Sequence, residues 1–386
     1  MFALLYGIII VAITINRDLM TDTLIRKKAR IEYFDLLKGV AIFMVVMGHA
    51  LTMCVRGLDA AFLFKFIGQV HMPVFFFISG YLTYKASEQQ HFVTPGLKKR
   101  FVQLIIPFLV ITPLWVWYFP HSGLQSPLSD NLPDLYRAYW KDGYWFTLCL
   151  FELCLIYMPV SAVLQRLRST FAQIVVLLVV YGALIALSMA FSDEEANVDY
   201  VGFGLLARFF PVFMMGVMAN HLKPAFQRVV NNQWAVALAM AVFSVSFYSV
   251  AYPWDIWGTD LEWLWSPIAF VSTPVMHFSL IVVAIALVEP WSVKEYRTEG
   301  KAPSAVAKYF NYLGHESLGI YLLHYFFLFP LTALQDPLRE VGLSVVPLAV
   351  LSAVVALCVI AVTLLVVYAL KRSKVTALLF LGQPFK

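Results

Sequence analysis

Lys38 and His49 lie eleven residues apart in FDLLKGVAIFMVVMGHA, a stretch otherwise apolar enough to cross a membrane. An ammonium group can hold an anion, and a neutral imidazole can take a proton from a hydroxyl that is otherwise a poor nucleophile. Eleven helical residues turn to within about 20° of three full turns and rise about 16 Å. The two side chains therefore share one helix face. An anionic group held at the first would leave reactive chemistry at the second. The same spacing also fits a lysine snorkelling from a helix end and a structural histidine bonded to a neighbouring helix.

An ionisable side chain in hydrocarbon costs about 2.5–3.5 kcal/mol on insertion scales, so each one inside an apolar run is a candidate for function. His49, His71, Glu152, Arg208, His277 and His324 qualify, and Lys38 joins them near a helix end. His277 has no motif around it and reads as structural. His71 and His49 each stand 13 residues from the same side of the membrane, at Tyr84 and Leu36. That places both imidazoles at similar depth, about 20 Å in. Two histidines make an incomplete metal site, and Glu152 lacks the helical spacing of a third ligand, so no metal is expected. Pro73 beside His71 frees a backbone carbonyl and could open the helix there. Ser79-Gly80 is the small-residue composition of close helix packing. GFGLLA at 202–207 matches a dinucleotide fingerprint only on paper, because it lies within a span with no strand before it.

These residues need a scaffold that holds them inside a bilayer. The 386-residue chain is 61% hydrophobic and 13% charged, with a mean hydropathy of +0.77, far from the quarter charged of a soluble domain. The expected class is an all-α polytopic membrane protein. Ten spans are expected near 35–55, 61–84, 101–120, 143–163, 171–191, 200–220, 233–253, 267–289, 311–334 and 344–370. Residues 1–34 form an N-terminal segment and 35–386 the ten-helix membrane domain. MFALLYGIIIVAITI at the start is marginal for a span, so residues 1–19 are read as an extra helix, a signal-like segment or sequence upstream of a start at Met20. Cys54, Cys149, Cys154 and Cys358 show no disulfide or metal spacing.

Twenty-one lysines and arginines in the loops collect on one side and five on the other, if the segment before the first span is cytoplasmic. That bias places both ends of the ten-helix domain in the cytoplasm. The +5 net charge is dispersed through membrane-flanking loops and carries no nucleic-acid signal. The opposite side holds acidic loops and tryptophans 115, 117, 140, 145, 254, 257, 263 and 265. They read as an interfacial belt, and some as a stacking platform for a sugar-like acceptor.

FDLLKGVAIFMVVMGH at 34–49 resembles the signature of the membrane acyltransferase-3 family: a basic residue, ten residues, then a histidine. HMPVFFFISGYL at 71–82, LKKRFVQLIIPFL at 97–109, YWFTLCLFE at 144–152, ARFFPVFMMG at 207–216 and SLGIYLLHY at 317–325 resemble the later blocks in order. Two positions depart from the pattern. Lys38 stands where many relatives have arginine, and a lysine cannot clamp an anion bidentately. Arg100 is followed by Gln103 where paired arginines are common. The hydrolase-like extracellular domain fused to some members is not expected.

The resemblance implies transfer of an acyl group, commonly acetyl, from cytoplasmic acyl-CoA to a hydroxyl of a cell-surface glycan on the outer side. It implies a bacterial cytoplasmic membrane. Lys38, Lys98, Lys99 and Arg100 would hold the CoA phosphates, and the pantetheine arm would run up to His49. His49 would be the general base, with an acyl-histidine intermediate as the alternative. His71 or Glu152 would orient it. Arg208 would steady the oxyanion or substrate, and Trp145, Tyr321 and His324 would contribute to the acceptor site. A proton-coupled transporter is the competing class, since buried histidines, Glu152 and Arg208 could relay protons. No internal repeat of spans supports it. The sequence specifies no oligomeric state.

Overall fold

A computed structural model describes residues 31–55, 61–84, 93–118, 132–252, 262–292, 304–331 and 345–383. Residues 1–30, including the apolar segment 1–19, lie outside the described residues. The chain runs through α1 (Glu32–His49), α2 (Ala61–Thr83), α3 (Val93–Arg100), α4 (Ile106–Tyr118), α5 (Leu132–Arg137), α6 (Trp145–Arg166) and α7 (Thr170–Phe191). A two-stranded hairpin follows, β1 (Ser192–Asp193) antiparallel to β2 (Val198–Asp199). Then come α8 (Phe203–His221), α9 (Lys223–Val230), α10 (Gln233–Ala251), α11 (Glu262–Val288), α12 (Ala305–Leu323), α13 (Val345–Leu370) and α14 (Lys374–Leu381).

Each of the ten expected spans coincides with a helical stretch, and the protein is an all-α, multi-pass membrane protein. Nine helices among the described residues are long and apolar enough to cross a membrane. The tenth stretch, α12, carries Lys308, Asn311, His315 and Glu316; Asn311 and His315 turn toward Glu32 and Asp35 of α1, and Glu316 pairs with Lys371 after α13. Its position differs from the expected 311–334. Ser304 Oγ accepts from Ala307 N at 3.1 Å, which starts the helix early. At the other end the chain tightens into a 3-10 turn, His324–Phe327. α2 runs unbroken through Pro73, so the opening expected beside His71 is not formed. α3 begins at Val93, well before the expected 101, because a wide π turn at Phe101–Ile105 joins it to α4.

Two crossings set the architecture. A Cβ at Gly39 would strike the carbonyl of Phe310, and one at Gly314 the carbonyl of Asp35, so α1 and α12 meet backbone to backbone. Gly80 lies against the Phe213 carbonyl and Gly216 against that of Phe77, which brings α2 onto α8 in the same way. Small residues permit this approach where lipid offers no hydrophobic gain. The packing role read for Gly80 is the one it has. One main core joins these helices to α6 and α13. By contrast α7 leaves most of its length exposed, as a lipid-facing helix does.

Candidate active site

The histidine of the opening motif is reached from the 3-10 turn that follows α12. His49 Nε2 and the Tyr325 hydroxyl share a hydrogen bond of 2.8 Å. His324 stacks on His49, with ring centroids 5.2 Å apart and 28° between planes. The Tyr325 ring lies 4.7 Å from His49 and 4.3 Å from His324. His71, on α2, is within electrostatic reach of His49, and its Nδ1 is bonded to the Ile67 carbonyl. The rings that pack on His49 are those of His324 and Tyr325, while His71 is bonded to its own helix.

Local backbone geometry explains the placement. α1 passes into a π turn, Ala50–Cys54, immediately after His49, and α3 does the same after Arg100. Such wide turns concentrate at functional sites. The amide of Leu331 bonds the Cys54 carbonyl at 2.9 Å, which clasps the end of α1 to the chain leaving α12. His324 Nδ1 is 2.9 Å from both the Ile320 and the Tyr321 carbonyl oxygens. Its Nε2 is buried without a hydrogen-bond partner among the described residues. An orphan of this kind costs about 1–3 kcal/mol.

Tyr321 is a strut. Its hydroxyl donates to the Gly143 carbonyl at 2.7 Å and accepts from Phe146 N at 3.2 Å, tying the start of α6 to α12. Gly143 adopts a left-handed φ of +93°, and a Cβ there would enter the Tyr325 hydroxyl. Gly143→Ala therefore combines left-handed strain with a collision. It is expected to cost about 1–3 kcal/mol and to displace Tyr325, read as a lower midpoint of thermal unfolding.

At the other end of the α1–α12 seam, Lys38 Nζ sits 2.6 Å from Asp35 Oδ1. The second oxygen of Asp35 is 4.0 Å from His315 Nε2, and His315 also meets Asn311 Oδ1 at 3.0 Å. Lys38 thus connects to α12 by way of Asp35, and His49 meets Tyr325 in the 3-10 turn that follows α12. Lys98 and Lys99 are exposed, and Arg100 is half-buried. Gln103 lies in the π turn, its backbone against Gly382 at the end of α14.

Glu152 belongs to a different group. Its Oε2 is buried without a hydrogen-bond partner among the described residues and packs against Gly202, whose φ is +80°. Lys141, itself buried, donates to the carbonyls of Ala138 at 2.8 Å and Asp199 at 2.6 Å. Burial pushes the Lys141 ammonium down, opposed by the charges of Asp199 and Glu152. The Asp199 carboxylate accepts from Gly204 N at 3.1 Å and Leu205 N at 3.4 Å, capping α8 in place of Gly202, which has no side chain to do so.

Arg208 sits over the Trp140 ring at 5.4 Å and is 3.4 Å from Glu194. Trp140 meets Trp145 edge to face at 5.4 Å, and Trp145 stacks on Phe209 at 5.0 Å. Arg208 and Trp145 are thus joined through Trp140, with Trp145 mostly in the core. Sequence reasoning missed Tyr325, Asp35, His315, Lys141 and Asp199. Tyr325 had a signal, as the last residue of the SLGIYLLHY block.

A family model described as an acyltransferase domain, Acyl_transf_3, matches residues 31–372. The nodulation protein NolL of Mesorhizobium japonicum is 29% identical over 194 residues, covering 48% of this chain and 46% of that protein. NolL of Sinorhizobium fredii is 31% identical over 154 residues, covering 38% of this chain and 41% of that protein. The match spans less than half the length of each of these curated relatives. No solved structure matches the chain. With the family's pattern running through all ten helical stretches, from residue 31 to residue 372, the chain belongs to the acyltransferase-3 family.

Proposed function

We propose that the protein is an O-acyltransferase of the bacterial cytoplasmic membrane. It takes an acyl group, acetyl first among candidates, from acyl-CoA at the lysine- and arginine-rich side, and joins it to a glycan hydroxyl on the opposite side. The observation that carries this reading is the His49–Tyr325 pair at 2.8 Å, on the helix that also carries Lys38, in a chain of this family.

Lys38, Lys98, Lys99 and Arg100 hold the CoA phosphates where a cationic cluster costs little. Lys38 exchanges the Asp35 carboxylate for a phosphate when the donor binds. His49 is the general base. It removes the acceptor proton as the oxygen attacks the thioester carbonyl, and it returns that proton to the departing thiolate. His71 completes the imidazole cluster, and Tyr321 fixes α6 against α12. Arg208, Trp140 and Trp145 form the wall that meets the acceptor. Glu152, with Lys141 and Asp199, holds that end of α6 to α8.

Lys38→Ala is expected to raise KM for acetyl-CoA about 10-fold or more, since a hydrogen bond to a charged group contributes about 1.5–3 kcal/mol, while kcat changes little. Steady-state thiol release checks it. The reading itself is tested by mass analysis of surface glycans from cells with and without the protein. A shift of one acyl unit that follows the gene is expected. No shift, together with solute flux indifferent to CoA, would identify a transporter instead.

A further inference from the structure

We propose that Tyr325 is a two-position shutter on His49, and that the vacant Nε2 of His324 is its second seat. The inference rests on His49 being the general base. With its O–H donating, the Tyr325 hydroxyl, 2.8 Å from His49 Nε2, covers the lone pair that receives the acceptor's proton in this reading. Something has to move before the base can act.

His324 supplies the place to move to. Carbonyl oxygens only accept, and its Nδ1 lies 2.9 Å from two of them. Nδ1 therefore carries the hydrogen. In the neutral ring Nε2 is then a bare lone pair, buried and without a partner among the described residues. Buried polar atoms are nearly always bonded, so this one awaits a donor. The Tyr325 ring already rests against both imidazoles, at 4.7 Å and 4.3 Å. In its present seat on His49 the phenol oxygen fills the space that Gly143, lacking a Cβ, leaves beside it.

When the acceptor hydroxyl takes His49 Nε2, Tyr325 turns its hydrogen bond to His324, and the number of bonds is conserved. Its own O–H never breaks. The acceptor O–H breaks and an N–H forms on His49; a C–O bond forms, the thioester C–S bond breaks, and His49 passes the proton to the thiolate. Without acceptor the shutter stays on His49, which keeps the base from activating water and wasting acyl-CoA.

The test uses purified full-length protein in lipid nanodiscs, with acetyl-CoA and no glycan, reading CoA thiol release alongside thermal unfolding. Tyr325→Phe, which keeps the ring contacts, is expected to raise this idle hydrolysis about 10-fold or more, and adding His49→Ala should remove the gain. In cells, His324→Ala should lower glycan acylation about 10-fold, and Tyr325→Phe in the same chain should restore most of it. Unchanged or reduced hydrolysis in Tyr325→Phe, or additive losses in the double variant, would overturn the shutter while leaving the acyltransferase reading intact. Wild-type protein that neither releases thiol nor acylates glycan would instead overturn the reading beneath it.

Discussion

His49→Ala is expected to lower acyl transfer by about 10²–10⁴-fold, the contribution typical of a positioned general base, while acetyl-CoA still binds. The separation follows from geometry. Lys38 and Asp35 stand at one end of the α1–α12 seam and His49, His324 and Tyr325 at the other, about 16 Å along the helix. Removing an imidazole at the far end leaves the proposed anion-holding cluster untouched. The loss should appear in kcat, with the donor's dissociation constant within about twofold of wild type. A purely structural His49, bonded only to hold Tyr325, would instead show itself as lower thermal stability with activity lost in proportion to folded protein.

The largest effect on stability is expected at Gly39. A Cβ there would occupy the carbonyl group of Phe310, and backbone on both sides leaves no flexible side chain to yield. Gly39→Ala should cost about 3 kcal/mol or more, at the upper end of overpacking effects. It should also part His49 from Tyr325, because the same crossing sets their separation. Gly314→Ala, which meets the Asp35 carbonyl, should behave alike. Gly68 and Gly182 have open space where a Cβ would go, so alanine there should leave the unfolding midpoint unchanged or slightly higher. Thermal unfolding in detergent, read side by side for the four variants, checks the pattern.

How far the residues announce this arrangement depends on the range of the force involved. The helices were legible because hydrocarbon demands long apolar runs, and the shared face of Lys38 and His49 because helical periodicity is local. The start of α12 was misplaced because a single serine cap sets it, inside a stretch too polar to read as a span. The hairpin of β1 and β2 is too short to carry an alternating pattern. The partners of the reactive residues were less visible. Tyr325 and His49 are separated by 276 residues, and no local rule pairs them. Asp35 is one of two acids in the first turn of α1, and only the fold sets its carboxylate between Lys38 and His315. Glu152 Oε2 packs against Gly202, and its charge is felt by Lys141, whose left-handed backbone carries no signal in the sequence.

The central claim is that donor and base occupy opposite ends of one helical seam, with the donor on the lysine-rich side. Sealed inverted membrane vesicles, with that side facing out, test it most directly when labelled acetyl-CoA is added outside. The account predicts label in vesicle glycan from wild-type protein, and almost none from His49→Ala at equal protein level. Label that arrives only when right-side-out vesicles are supplied, or that is undiminished in His49→Ala, would contradict it.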